Sequence, residues 1–196
     1  AWAAFNVPAN VDINAAIKPA NNNPNNPTGT NSFIAVGNIT VGGTGKSPHI
    51  QYLIALLKDK YRVATVSRGY KRKTKGFLLL DSETTSQNSG DEPKQFKFNF
   101  PDVMVSVGEK RVNAINKLLA LPNPPELILL DDAYQHRWVK AGLNILLIDY
   151  NRQIKEDSLL PVGRLREGVS QMRRANVIIF TKCPDEVTPI MRRILM

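Results

Sequence analysis

The sequence predicts an α/β fold in which a mostly parallel sheet carries helices on both faces. Short runs that are apolar throughout alternate along the chain with segments of helical periodicity. A strand that is buried on both faces, as in a parallel sheet, is apolar along its whole length rather than at every second position. The alternation of such strands with helices is typical of doubly wound folds.

Each predicted element follows from one of these two patterns. The predicted strands are 33–39, 61–68, 102–108, 127–133, 144–150 and 176–182, with 76–81 as a further candidate. A helix is predicted over 48–60 because its apolar residues recur at helical spacing; these are Ile50, Leu53, Ile54 and Leu57. A second helix is predicted over 109–121, and its inward-facing residues are predicted to be Val112, Ile115, Leu118 and Leu119.

The first 31 residues differ in composition from the rest of the chain. They are rich in Asn, Ala and Pro and contain almost no charge. A segment of this kind cannot bury enough apolar surface to offset the entropy lost on ordering. We therefore predict a flexible Asn/Pro-rich tail over 1–31 and one folded domain over 32–196.

The net charge indicates which partners to expect, and the cysteine content indicates whether the chain can form a disulfide. The formal net charge is +9, all of it within 32–196, which favours an anionic partner such as a nucleotide, a nucleic acid or an anionic lipid surface. A nucleic acid is the least expected, because the basic residues lack interleaved aromatic residues. A single cysteine, Cys183, excludes a disulfide within the chain.

The segment IAVGNITVGGTGKSP (34–48) is typical of a phosphate-binding loop between a strand and a helix. Its glycines let backbone amides turn inward around phosphate oxygens, and the following helix adds its positive end. Thr40 stands where the usual pattern has a first glycine, but Gly-Lys-Ser and the strand–helix context outweigh that difference. The fold is therefore predicted to be P-loop NTPase-like, and the predicted nucleotide-binding residues are Gly42, Gly43, Thr44, Gly45, Lys46 and Ser47.

An apolar strand that ends in Asp131 and Asp132 supplies the acid that such a loop needs. A phosphate-binding loop works with Mg²⁺, held by the loop Ser and an aspartate at a strand end. We predict that Ser47 and an acid of this aspartate pair bind Mg²⁺ and that Lys46 reaches the β- and γ-phosphates of a nucleotide. The alternative is a pair of solvated aspartates in a turn.

Three further polar segments are candidates for the chemistry. His136 follows the paired aspartates and is predicted either to face the site or to be structural. The polar segment SGDEP (89–93) is predicted to be a turn, whose acids are candidates for a general base. The basic loop 67–76 is either a solvated loop or a surface that holds an anionic substrate or lipid.

Taken together, these segments resemble the tetraacyldisaccharide 4'-kinase family, the lipid A pathway kinases of Gram-negative bacteria. The matching segments occur in the family's order over 33–184. The family's loop commonly carries Ser or Thr at the position of Thr40. The segments are VGNITVGGTGKSP (36–48), SRGY (67–70), GDEP (90–93), LDDAYQHR (130–137), LLPVGRLRE (159–167) and TKCP (181–184).

The resemblance implies a reaction and a location. The γ-phosphate of ATP, with Mg²⁺, would be transferred to the 4'-hydroxyl of a tetraacyl glucosamine disaccharide 1-phosphate, the lipid A precursor. The enzyme would act as a peripheral protein at the cytoplasmic face of the inner membrane. By position, Asp131 would match the family's metal-associated acid and would bind Mg²⁺ with Ser47. The predicted catalytic residues are Asp91 (the family's proposed base), Lys46, Asp132 and His136. Substrate contacts are predicted for Arg68, Glu92, Gln135, Arg166 and Glu167.

The chain also departs from the family pattern. Family members usually begin with an apolar membrane-anchoring helix, which 1–31 does not resemble, and continue into a second, smaller α/β domain whose His is thought to assist the catalytic Asp. We therefore expect a truncated chain. Two other functions stay open: a partner-switching P-loop ATPase or GTPase of the metallochaperone or partition type, disfavoured by Val41, and a non-catalytic ATP-binding fragment.

Overall fold

The computed structural model describes residues 32–136, 138–152, 154 and 157–186, and within them it confirms the α/β fold. The predicted tail over 1–31 lies outside the described residues. The strands are β1 Ser32–Gly37, β2 Val63–Ser67, β3 Leu78–Leu79, β4 Met104–Val107, β5 Leu127–Asp131, β6 Leu143–Asp149 and β7 Val177–Thr181. The helices are α1 Lys46–Leu57, α2 Ser86–Ser89, α3 Asp91–Asn99 and α4 Arg111–Leu119, and a 3₁₀-helix spans Val169–Arg174. None of these helices is long and apolar enough to cross a membrane.

The strands form one seven-stranded sheet in the order β3-β4-β2-β5-β1-β6-β7. β3 pairs antiparallel with β4, and the other neighbouring strands are parallel. Parallel strands place their carboxyl ends at one edge of a sheet, where open α/β folds bind their ligands. The residues Gly37, Ser67, Asp131 and Asp149, which end β1, β2, β5 and β6, therefore share one edge.

Alternate residues of the central strands enter hydrophobic clusters on opposite faces of the sheet. In β1, Ile34 and Val36 belong to one cluster, whereas Phe33 and Ala35 belong to the other. The first cluster contains the buried apolar side chains of α1 and Phe96 of α3, and the second contains the buried apolar side chains of α4. Each fully buried large apolar side chain contributes about 1.5–3 kcal/mol. Helices on both faces of the sheet are thus confirmed.

Helix α4 turns a different face to the sheet from the one that its apolar residues predict. Ile115 and Leu118 are buried and Leu119 packs against the second cluster, but Val112 is 44% exposed. Arg111 is buried in its place. The prediction that Val112 faces inward is wrong because hydrogen bonds of the Arg111 guanidinium orient the first turn of the helix.

The segment 89–93 is not a turn throughout, because Asp91 begins α3. Gly90 precedes the helix with a φ of 91°, a conformation that residues with side chains rarely adopt. Asp91 and Glu92 occupy the first turn, where carboxylates interact favourably with the positive end of the helix dipole. Pro93 is tolerated there, since amides of the first turn have no partner within the helix.

The end of β1 packs so closely on the next loop that only glycine fits. A Cβ atom on Gly37 would lie 2.7 Å from the Cβ and 2.9 Å from the backbone nitrogen of Tyr134. We expect Gly37→Ala to lower the free energy of unfolding by about 1–3 kcal/mol, because the added methyl group must displace backbone. Urea titration followed by circular dichroism measures this change. Gly168→Ala, whose Cβ would have no neighbour closer than 3.9 Å, is the control, and equal stability of the two variants would contradict the expectation.

Candidate active site

The phosphate-binding loop joins the end of β1 to the start of α1. Gly42 and Gly45 have φ values of 105° and 82°, in the left-handed region that favours glycine. The buried Asn38 donates from Nδ2 to the hydroxyl oxygen of Thr44 at 2.9 Å and so spans the loop. The loop therefore ends at the N-terminus of α1. There, the backbone amides of the first helical turn and the helix dipole favour binding of an anion.

A second segment, 158–166, is bound to the phosphate-binding loop through its backbone. The amide of Val41 donates to the carbonyl oxygen of Arg164 at 2.8 Å, and the amide of Arg166 donates to the carbonyl oxygen of Ile39 at 2.7 Å. These two hydrogen bonds hold the LRE part of the chain against the loop. The Arg166 side chain is thereby placed at the same edge of the sheet as the paired aspartates.

Lys46 and Arg166 both contact Asp132. The ammonium nitrogen of Lys46 is 3.5 Å from Asp132 Oδ1, and Nη1 of Arg166 donates to Oδ2 at 3.0 Å and to Oδ1 at 3.2 Å. Burial would raise the pKa of Asp132, but the two cations hold it below the ordinary value of an aspartate. The three side chains form a connected group directly beside the loop.

Asp131 has a different environment although it is the adjacent residue. It is 3% exposed, and its Oδ2 accepts a hydrogen bond from the hydroxyl of Ser67 at 3.1 Å. Its Oδ1 is buried and has no hydrogen-bond partner among the described residues. A buried carboxylate oxygen without a partner is unfavourable, and a bound cation would supply the missing interaction.

The pKa of Asp131 is raised to about 7. Burial is the main cause, since it disfavours the charged form, and the nearby carboxylates of Glu92 and Asp132 add to the effect. Glu92 also accepts a hydrogen bond from the hydroxyl of Ser47. Ser47, Glu92 and Asp131 therefore bring oxygen atoms together at the beginning of α1, which suits a hard divalent cation.

Arg111 closes the inner side of this group. Its side chain is buried, Nη1 donates to the carbonyl oxygen of Gly108 at 2.6 Å, and Nη2 donates to the backbone carbonyl oxygen of Asp131 at 3.1 Å. Burial lowers its pKa to about 10, opposed by the negative charge of Asp131. Arg111 therefore stays charged at neutral pH and fixes the backbone at the end of β5.

Comparison with known proteins places this arrangement in a family. A model of the tetraacyldisaccharide-1-P 4'-kinase family, LpxK, matches residues 27–194. The chain belongs to this family. It is 55% identical over 159 residues to the tetraacyldisaccharide 4'-kinase of Bacteroides fragilis (strain YCH46), a match that covers 81% of this chain and 42% of that protein. It is 57% identical over 165 residues to the tetraacyldisaccharide 4'-kinase of Parabacteroides distasonis, covering 83% and 45% of the two chains.

A solved structure from the LpxK family has the same fold. The protein in the crystal structure of LpxK from Aquifex aeolicus in complex with ATP is 39% identical in sequence to this chain, and the two structures match with a TM-score of 0.69. The match covers 81% of this chain and 52% of the Aquifex chain. The predicted P-loop kinase fold is thereby confirmed. The chain spans less than half the length of the two curated LpxK relatives that it matches.

Two predicted residues follow the paired aspartates of this LpxK-family site. The side-chain amide of Gln135 donates to the carbonyl oxygen of Asn38 at 2.7 Å and so supports the phosphate-binding loop. Burial and the positive charges of Arg111 and Arg68 lower the pKa of His136, with Asp132 opposing them. The charges of Arg68, Arg111 and Asp132 therefore act on His136, whereas Gln135 supports the backbone of the phosphate-binding loop.

The remaining residues predicted from the LpxK motifs differ in the side-chain contacts that they make. Asp91 is exposed at the start of α3, next to Glu92, and within the described part of the chain no hydrogen bond or ion pair is seen at its carboxylate. Glu167 accepts a hydrogen bond from Arg174, whose guanidinium also stacks 4.5 Å from the ring centre of Tyr134. Arg68 lines a surface cavity together with Lys71, Lys73 and Lys75.

The sequence patterns did not identify three residues that hold the LpxK site together. Asn38 spans the loop, Ser67 donates to Asp131, and Arg111 fixes the end of β5. Asn38 and Ser67 both lie in matching segments. Asn38 directly follows β1 and Ser67 ends β2, which is a signal that could have found them. Arg111 has no such signal, because it resembles any polar residue of an amphipathic helix.

Proposed function

We propose that this chain carries the nucleotide-binding and metal-binding part of a kinase that phosphorylates the 4'-hydroxyl of a tetraacyl glucosamine disaccharide 1-phosphate. The observation that carries the proposal is the buried Oδ1 of Asp131, which has no partner within the described part of the chain and lies beside a loop that presents Lys46 and Ser47. The names of the curated relatives and the ATP complex of the Aquifex protein support the substrates. Family membership favours this function over a partner-switching ATPase or GTPase.

The residues at the site fit Mg²⁺. Ser47 and Asp131 would hold the ion, with Glu92 close enough to bind it directly or through water; Mg²⁺ commonly takes its other ligands from nucleotide phosphates and water. No cluster of three or more His, Cys, Asp or Glu side chains with metal-site geometry occurs among the described residues, so a site shared with the nucleotide is the arrangement that fits. When bound, Mg²⁺ supplies positive charge against the phosphate oxygens.

The side chains of the chain would divide the remaining work. Lys46 would exchange its contact with Asp132 for the β- and γ-phosphates, and Arg166 would keep Asp132 paired. The acceptor hydroxyl oxygen would form a bond to the γ-phosphorus while the bond to the leaving oxygen of ADP breaks. Asp91 is the proposed acceptor of the hydroxyl proton. Its exposure at the start of α3 leaves it accessible to a substrate.

The basic loop after β2 is proposed to face the anionic lipid substrate at the cytoplasmic surface of the inner membrane. A surface cavity of about 340 Å³ is lined by Arg68, Lys71, Lys73 and Lys75, together with other residues of this loop and Glu109. Arg72 is not free for such a contact, since it is buried and bonded to Glu109 at 2.6 Å. Its neighbours project positive charge that attracts phosphate groups.

Transfer from radiolabelled ATP tests the proposal. We expect the chain, with Mg²⁺ and detergent-dispersed tetraacyl disaccharide 1-phosphate, to produce a labelled lipid whose new phosphate is found at the 4'-position by NMR. A sample without lipid controls for hydrolysis, and the same lipid already phosphorylated at the 4'-position controls for the acceptor hydroxyl. ATP binding without any transfer would support the non-catalytic alternative instead, and hydrolysis that depends on a protein partner would support the partner-switching one.

A further inference from the structure

Arg152 contacts the phosphate-binding loop but belongs to none of the segments that predicted the site. It follows β6, the strand next to β1 in the sheet. Its Nη1 donates to the carbonyl oxygen of Val41 at 2.9 Å. Its guanidinium lies against Gly42, so that a Cβ atom on this glycine would be 2.7 Å from Nη1 and 3.2 Å from Nη2. Gly42 thus leaves the space that the guanidinium occupies.

The position of Arg152 is set by a buried carboxylate. Asp149, at the end of β6, is 4% exposed in its side chain, and its Oδ2 lies 3.5 Å from Nε of Arg152. The same oxygen accepts a hydrogen bond from Lys182 Nζ at 2.8 Å. Among the described residues in this contact, two cations therefore share one carboxylate, and a positive charge stays uncompensated next to the loop.

One end of the guanidinium is left available. Nη1 and Nε are engaged by Val41 and Asp149, but within the described residues no hydrogen bond or ion pair engages Nη2. The Arg152 side chain is 28% exposed. A guanidinium presents its donors as a rigid planar fork that matches phosphate oxygens, so the free side of this fork has the chemistry to bind a phosphate held by the loop.

We propose that Arg152 is a catalytic residue that binds the γ-phosphate of the nucleotide from within the same chain. It would act as an arginine finger supplied in cis, stabilising the charge that spreads over the phosphoryl oxygens as the bond to ADP breaks and the bond to the acceptor oxygen forms. This inference rests on the proposed nucleotide site. It adds Arg152 to the cations that the sequence predicts at this site.

Comparison of triphosphate and diphosphate binding tests the proposal without requiring turnover. The test is isothermal titration calorimetry of wild type and of Arg152→Ala with two ligands. One ligand is the Mg²⁺ complex of a non-hydrolysable ATP analogue, and the other is MgADP. We expect Arg152→Ala to weaken binding of the triphosphate by at least about tenfold and binding of ADP by less than about threefold, because only the triphosphate has the γ-phosphate. Arg152→Lys is expected to recover part of the loss, since it keeps the charge without the fork.

Arg62→Ala is the matched control. It removes a half-exposed arginine that directly precedes β2 and is paired with Glu126. Arg62 therefore lies at the edge of the sheet opposite to the phosphate-binding loop. It should leave both affinities unchanged. Equal losses for the triphosphate and ADP in Arg152→Ala would overturn the proposal and make Arg152 a brace of the loop only. No loss for either would overturn it as well. A wild-type chain that binds neither nucleotide would overturn the nucleotide site itself.

Gly42→Ala gives a second, independent measurement. Its methyl group would clash with the guanidinium at 2.7 Å, and it also strains the backbone at a φ of 105°. The strain is present with or without Arg152, whereas the clash is not. We therefore expect the effects of Gly42→Ala and Arg152→Ala on triphosphate affinity to be strongly non-additive in a double-mutant cycle. Additive effects would contradict a functional contact between the two residues.

Discussion

Replacing Lys46 by alanine is expected to weaken binding of MgATP by about 100-fold or more. The Lys46 ammonium lies at the start of α1, 3.5 Å from Asp132 and 13% exposed. A charged hydrogen bond to a phosphate contributes about 1.5–3 kcal/mol, and this lysine is expected to contact two phosphate groups. Phosphate transfer to the lipid should fall at least in proportion.

The fold should tolerate the loss of Lys46, so that the effect can be assigned to binding. Asp132 keeps its two hydrogen bonds to Arg166 in the variant, and its charge therefore stays paired. Lys58→Ala is the matched control, because Lys58 follows the same helix and, among the described residues, its side chain pairs only with the exposed Asp59. Titration calorimetry with MgATP compares the two variants. Affinity within about threefold of wild type in Lys46→Ala would refute the nucleotide site.

Asp131→Asn is expected to abolish the Mg²⁺-dependent part of nucleotide affinity while making the metal-free protein more stable at alkaline pH. The two effects have one cause, which is a buried carboxylate whose Oδ1 has no hydrogen-bond partner among the residues that the structure describes. The amide can still accept the hydrogen bond from Ser67, but it cannot carry the charge that binds a cation. Affinity for ATP measured with Mg²⁺ and with EDTA separates the metal-dependent contribution.

The direction of the pH dependence follows from the raised pKa. Because the pKa of Asp131 is about 7 in the folded protein and about 3.9 in an unfolded chain, the folded state binds the proton more tightly. Between these values the folded state holds one more proton than the unfolded state, so the free energy of unfolding falls as pH rises from about 4 towards 8. The full difference corresponds to a few kcal/mol, on the order of 2–4.

Urea unfolding in EDTA at pH 6 and pH 8 checks this expectation. The pH-dependent loss of stability should be smaller in Asp131→Asn than in wild type. Asp132→Asn is the informative comparison, since Lys46 and Arg166 hold the pKa of Asp132 low. Its contribution to stability is present above the unfolded pKa and lost only in acid, so this variant should be destabilised at both pH values. The same change in the free energy of unfolding between pH 6 and pH 8 in both variants would contradict a raised pKa for Asp131 and a lowered pKa for Asp132.

The segments of the site that lie close together in sequence could be predicted from the sequence. The glycines and Gly45-Lys46-Ser47 follow a strand and open a helix, so the chemistry and the local structure depend on the same few residues. Asp131 and Asp132 were predictable for the same reason, since a buried strand that ends in two carboxylates calls for a cation. These short-range patterns also predicted most strands and the apolar face of α1.

Contacts between distant segments required the tertiary structure. Whether Glu92 reaches Ser47, and whether Ser67 reaches Asp131, depends on which strands are neighbours in the sheet and in what register. The same holds for Thr40, which forms a bridge with Leu165 across more than a hundred positions of the chain. Hydrophobic periodicity does not encode these choices, because it records only which face of an element is buried.

By itself, the sequence determined the mostly parallel α/β fold, the loop that would hold phosphate and the acid that would accompany it, because each depends on residues adjacent in the chain. Only the tertiary structure separated Asp131, which is buried with one carboxylate oxygen unpaired in the described part of the chain, from Asp132, which is paired with two cations. It also placed Arg152 against Gly42. Both results depend on burial and on charges supplied by other strands, and the electrostatics of a site are decided by those distances rather than by residue type.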